Sequence, residues 1–113
     1  MIIHGKERKF LYTVKASEEI GALCGGEIAN IGKLLESDNT KKKVNAILDI
    51  IQILNKGYEE AKVFEEPGYV ADVISKEELK VLPFKVVKEL EMEAFMAISD
   101  GTETTVETEE EKN

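Results

Sequence analysis

One histidine, one cysteine and many carboxylates are the side chains through which this chain could do chemistry. Nucleophilic catalysis needs a base beside Ser, Thr or Cys, and the sole imidazole, His4, lies far from Cys24 in sequence. One Cys and one His also cannot supply the ligands of a structural zinc site within one chain. The carboxylate groups Glu59-Glu60, Glu65-Glu66, Glu77-Glu78 and Glu89, Glu91 and Glu93 sit in polar stretches. Acid-base work needs a carboxyl raised in pKa by burial, so solvated helix faces explain them better. Neither a G-x-G-x-x-G run, a P-loop nor an acidic calcium loop occurs among the eight glycines. The expectation is a protein without catalytic residues, metal or cofactor.

Two patterns point to binding instead. Gly21, Gly25 and Gly32, with Ala22, Gly26 and Ala29, would admit a close helix neighbour if their segment stays helical. Lys41-Lys42-Lys43 is a basic knot at a helix start, where its charge opposes the helix dipole; it solubilises that end or meets an acidic partner, including the chain's own tail.

The elements that must position these residues begin with a hairpin over residues 1–15. Gly5-Lys6 fits a two-residue type II′ turn, which sets His4 opposite Glu7, Ile3 opposite Arg8 and Met1 opposite Phe10. One side of the ribbon then carries Met1, Ile3, Phe10, Tyr12 and Val14, and the wet side carries His4, Glu7, Lys9 and Thr13. Leu11 to Val14 overrun the first strand, so a later segment or a second molecule has to complete that edge.

Helices are expected over residues 17–99. Ser17 is placed to cap the first, with Glu18 and Glu19 in its first turn and Ile20, Leu23, Cys24, Ile28, Ile31, Leu34 and Leu35 inward. Gly25-Gly26 is its weak point. A second helix opens at Thr40 and reaches about Asn55, with Gly57 as a plausible cap, although Tyr58, Ala61 and Phe64 prolong the pattern. Tyr69 to Ile74 is either a strand for the Leu11 to Val14 overhang or a linker. Ser75-Lys76-Glu77-Glu78 is a capping box with Ile74 and Leu79 as its staple. Pro83 ends that short helix and opens the last, whose inward residues are Phe84, Val87, Leu90, Ala94, Phe95 and Ile98. Residues 100–113 hold six acids and one lysine, which predicts a disordered acidic tail.

The 113 residues, 42% hydrophobic, suit one core. The fold class expected is α+β, predominantly α: a hairpin followed by four to five helices in one domain over 1–99. The net charge of -8 disfavours a nucleic-acid partner. No apolar run is long enough for a membrane span, no signal peptide is visible, and the lone cysteine suits a reducing compartment, so the protein is expected in the cytoplasm.

The run Ile-Ile-His-Gly-Lys-Glu-Arg-Lys-Phe-Leu-Tyr-Thr-Val, the apolar block from Leu48 to Leu54 and Ser-Lys-Glu-Glu-Leu stand in an order that resembles the tail assembly chaperones of long-tailed phages of Gram-positive hosts. The resemblance is architectural and covers about residues 1 to 99; the glycine-rich first helix departs from it. It implies a non-enzymatic protein that coats the tape measure protein before the tail tube polymerises, often as an oligomer, in the host cytoplasm. Apolar residues with weak claims on a single-chain core, Phe10, Tyr12, Ile50, Ile53 and Tyr58, are the expected contacts. The alternative is a small acidic adaptor or regulator that presents its helices to an enzyme or transcription factor.

Overall fold

The computed structural model describes residues 1–27, 30–36 and 38–102. A two-stranded hairpin, β1 (Ile2–Ile3) and β2 (Lys6–Glu7), precedes α1 (Val14–Leu23), α2 (Ile31–Leu35), α3 (Thr40–Glu65), α4 (Lys76–Lys80) and α5 (Phe84–Thr102). The expected class, a small hairpin on a helical domain, is the class observed.

The hairpin register differs from the sequence reading. Ile2 pairs with Glu7 and Ile3 with Lys6, so His4-Gly5 form the turn, both with positive φ, 51° and 81°. Two positive φ values are the signature of a type I′ turn, whose twist matches the strands, and histidine tolerates that region better than most side chains. Ile3 faces inward as expected, at 2% exposure, and Ile2 outward, at 68%, while Arg8, on the same face as Ile3, is also buried, at 3%. Val14, expected on the buried face, is exposed because it starts a helix.

Nor does the second strand run on to Val14. After Arg8, whose N–H still bonds Met1 O at 2.8 Å, the chain leaves the sheet and lies against α3. Leu11 N–H donates to Leu54 O at 3.1 Å, and Asn55 Nδ2 donates to the Lys9 carbonyl at 3.0 Å. The central helix is thus the later segment that completes this edge. A Cβ on Gly57 would stand 2.5 Å from Leu11 O, so this glycine permits a close approach inside α3 and does not cap the helix.

Thr13, not Ser17, caps α1: its side chain accepts from Ala16 N–H at 3.0 Å, while Ser17 Oγ donates back to Val14 O. The helix stops where the glycines predict. Gly25 has φ of 73°, and Gly26 N–H bonds Gly21 O while Gly25 N–H bonds Ala22 O, the paired closure of a Schellman motif. The expected first helix is therefore split, with α2 as a separate short element.

Asn39 caps α3 by accepting from Lys42 N–H at 3.0 Å. The helix spans 26 residues, past the expected end near Asn55, because Tyr58 to Phe64 keep the helical pattern once Gly57 is absorbed. It packs against α1, α2, α4 and α5. Ile47, Leu48, Ile51 and Leu54 join Ile20, Ile74, Leu79, Leu90 and Ala94 in one core. The Ser75–Glu78 capping box forms reciprocally, and Ile74 and Leu79 are fully buried. Along α5, Val87, Leu90 and Ala94 point inward as expected, but Phe84 is 59% exposed. Residues 100–102 are helical, so the domain extends beyond 99; the rest of the expected acidic tail, 103–113, lies outside the described residues.

The connection between α3 and α4 is neither a paired strand nor a loose linker. Side chains of α3 hold its backbone: Asn55 Oδ1 accepts from Ile74 N–H at 2.8 Å, Gln52 Nε2 donates to Ile74 O at 3.1 Å, and Glu59 accepts from Asp72 N–H at 2.9 Å.

Candidate interaction surfaces

The groups that could do chemistry are placed apart or already engaged. His4 is exposed in the hairpin turn, its Nε2 3.0 Å from Glu78 O; Cys24 caps α1, and burial pushes its thiol pKa up. The fully buried carboxylate, Glu59, accepts from the Tyr69 hydroxyl at 2.6 Å as well as from Asp72 N–H. That hydrogen bond pushes the Tyr69 phenol up to about 12. Arg8 donates to the Asp72 carbonyl and faces Glu78 at 3.8 Å. Bonds from Ser75 hold the Glu78 carboxyl below its ordinary value. Among the described residues no three His, Cys, Asp or Glu side chains gather as a metal site, and no helix is long and apolar enough to cross a membrane.

Of the residues expected to contact a partner, Ile50 is 1% exposed and belongs to the core, so its surface is spent within the chain. The breadth of the apolar face on α3 reflects packing on several sides. Phe10, Tyr12 and Ile53 are half-buried against the core, and Tyr58 is half-buried on α3. Tyr12 is committed to α5, where a Cβ on Gly101 would stand 2.8 Å from its own Cβ. Phe10 borders a larger open surface.

That surface is on α5. Met92 and Met96, one turn apart, are 67% and 62% exposed. Met96 enters a shallow depression of about 430 Å³ with Met1, Phe10 and Ala97, edged by Glu7, Lys9, Glu93 and Asp100. The N-terminal ammonium bonds Glu7 at 2.6 Å and lies 3.8 Å from Glu93, fixing one wall. Sequence reasoning missed both methionines, although their spacing opposite Val87, Leu90 and Ala94 carried the signal.

A second surface is a groove where the starts of α3 and α5 meet α4. Its cavity of about 250 Å³ is lined by Val44, Leu48, Leu79, Leu82, Phe84 and Val87, with Lys41 and Lys80 on the rim. Beyond Phe84 a smaller hollow of about 130 Å³ adds Lys43, Lys88 and Glu91, and Lys88 Nζ stands 5.8 Å from the Phe84 ring centre. None of Lys41, Lys42, Lys43, Lys80, Lys85 and Lys88 forms an ion pair among the described residues.

The third surface lies at the far end of α3. Phe64 is 92% exposed and Val63 42%, beside the Lys15–Glu60 ion pair at 3.1 Å. Glu65 and Glu66 follow, and Glu66 pairs with Lys62 at 3.3 Å, raising the lysine's pKa. Comparison with protein-family models, with curated proteins and with solved structures gave no match.

Proposed function

We propose that the protein is a phage or prophage tail assembly chaperone that holds the tape measure protein before tail tube subunits enclose it, without enzymatic activity and in the host cytoplasm. The observation that carries this reading is the pair of exposed methionines on α5, Met92 and Met96, the latter beside Met1 and Phe10. Methionine side chains are flexible and polarizable, so they repack against many apolar shapes. An elongated client presenting a succession of different side chains needs such tolerance. The hairpin supplies the rigid edge of this surface, because the Met1 ammonium is fixed by Glu7 and by the Arg8 carbonyl at 3.0 Å.

The gene's neighbourhood and a co-purification test the reading together. Adjacent genes for a tail tube subunit and a long tape measure protein are expected, and co-expression should recover that long protein with this chain. A metabolic or regulatory operon, with no recovery, would leave the adaptor reading in its place.

A further inference from the structure

The cavity between the starts of α3 and α5 sets unengaged polar groups around an apolar floor. Leu48, Leu79 and Val87, all buried, line it together with the exposed Phe84 ring. Three groups able to hold a negative charge share that lining: Lys41 and Asn45, one turn apart on α3, and Lys80 on α4. None of their side chains has an ion pair or a hydrogen bond among the described residues. No acid lines this cavity. Asp49, one turn beyond Asn45 on α3, is already paired with Lys76 at 2.6 Å. Glu91 lines the separate hollow beyond Phe84, which favours the Lys41 and Lys80 side for the negative end of a ligand.

We propose that this cavity binds a small amphiphilic carboxylate, with its apolar body on Leu48, Leu79 and Val87 and its head among Lys41, Asn45 and Lys80. Ligand sites of this kind pair a mostly apolar lining with a few polar groups that fix orientation. Ammonium and amide donors supply the charge-assisted bonds that a carboxylate accepts. Size narrows the class further. An apolar cavity of about 150 Å³ suffices for benzene, so the 250 Å³ here takes a body of about eight to ten non-hydrogen atoms. That is a medium-chain or aryl carboxylate; the acyl chain of a membrane lipid is too long. The site uses neither Met92 nor Met96, so it stands or falls independently of the client-holding reading.

The test titrates the full chain with straight-chain carboxylates from butanoate to dodecanoate, below their micelle concentrations, and follows methyl and amide resonances. Saturable shifts are expected at Val44, Leu48, Leu82 and Val87. Affinity should climb about fourfold with each added methylene up to octanoate and then level off, because the cavity is full. Octanol, which has the body without the charge, should bind about 10-fold more weakly than octanoate or worse. Lys41→Gln with Lys80→Gln, both exposed, should remove that preference while leaving octanol binding and circular dichroism unchanged. Absence of saturation by octanoate, or shifts centred on Met92 and Met96, would overturn the proposal. So would equal binding of octanol and octanoate, or affinity that keeps climbing through dodecanoate, which is what an unshaped apolar surface gives. A lysine double variant that binds octanoate as tightly as the wild type would overturn it as well.

Discussion

Asn55 Oδ1 accepts the Ile74 N–H at 2.8 Å while its Nδ2 donates to the Lys9 carbonyl at 3.0 Å, so one carboxamide ties the hairpin exit to the segment before α4. Asn55 is 0% exposed, as is Ile74, so the buried Ile74 N–H has no solvent to replace a lost amide. Asn55→Leu should therefore cost about 2–4 kcal/mol, the penalty for stranding buried polar groups. Asn55→Asp should also destabilise, since a carboxylate would face the Lys9 carbonyl with no proton to donate. Urea unfolding followed by circular dichroism measures both; a loss below about 0.5 kcal/mol for either would show that this tie is dispensable.

Two glycines should respond in opposite directions to the same substitution. Gly57→Ala drives a methyl to 2.5 Å from Leu11 O and should cost about 1–3 kcal/mol through overpacking. Gly21→Ala adds a methyl with nothing within 4 Å inside α1 and should stabilise by about 0.5–1 kcal/mol. Thermal melts of the two variants provide the comparison.

Tyr69 should be the slowest tyrosine to ionise on raising the pH. Its phenol is pushed up to about 12, chiefly by the hydrogen bond to Glu59. A raised folded pKa means that the associated stability is complete below the ordinary value of 10.0 and is lost as the pH climbs through about 12. Ultraviolet titration of phenolate formation should resolve this late step, and Glu59→Gln should move it back toward the ordinary value.

The α4 capping box should weaken on the acid side. Bonds from Ser75 lower the Glu78 carboxyl from its ordinary 4.5, so its contribution is present above that value and disappears as the pH falls through the lowered one. Ser75→Ala should cost about 1 kcal/mol at neutral pH, with a smaller difference from wild type in acid. Denaturant midpoints at several pH values read out both effects.

Local chemistry made much of the fold legible in sequence. The capping box, the helix start at Thr40, the stop at Gly25-Gly26 and the break at Pro83 each depend on neighbours a few residues apart. The misreadings depend on distant partners. Arg8 is buried because Asp72 and Glu78 come to meet it, and no pattern near residue 8 announces them. Gly57 looked like a helix end because its true role is set by Leu11, distant in sequence but packed directly against it. At the candidate surfaces, the helical period that left open a prolongation of α3 through Phe64 could not tell that this side chain stands almost fully exposed. The same period marked Ile50 as spare when the helices around α3 cover it.

The most direct measurement is the solution mass of the full chain with and without a purified helical segment of a tape measure protein, the proposed client. Mixing should produce a complex with the wild type, and Met92→Glu with Met96→Glu should abolish it while circular dichroism stays unchanged. A wild-type mass indifferent to that segment, or a complex that forms equally well with both methionines replaced, would contradict the proposal that this protein holds its client on α5.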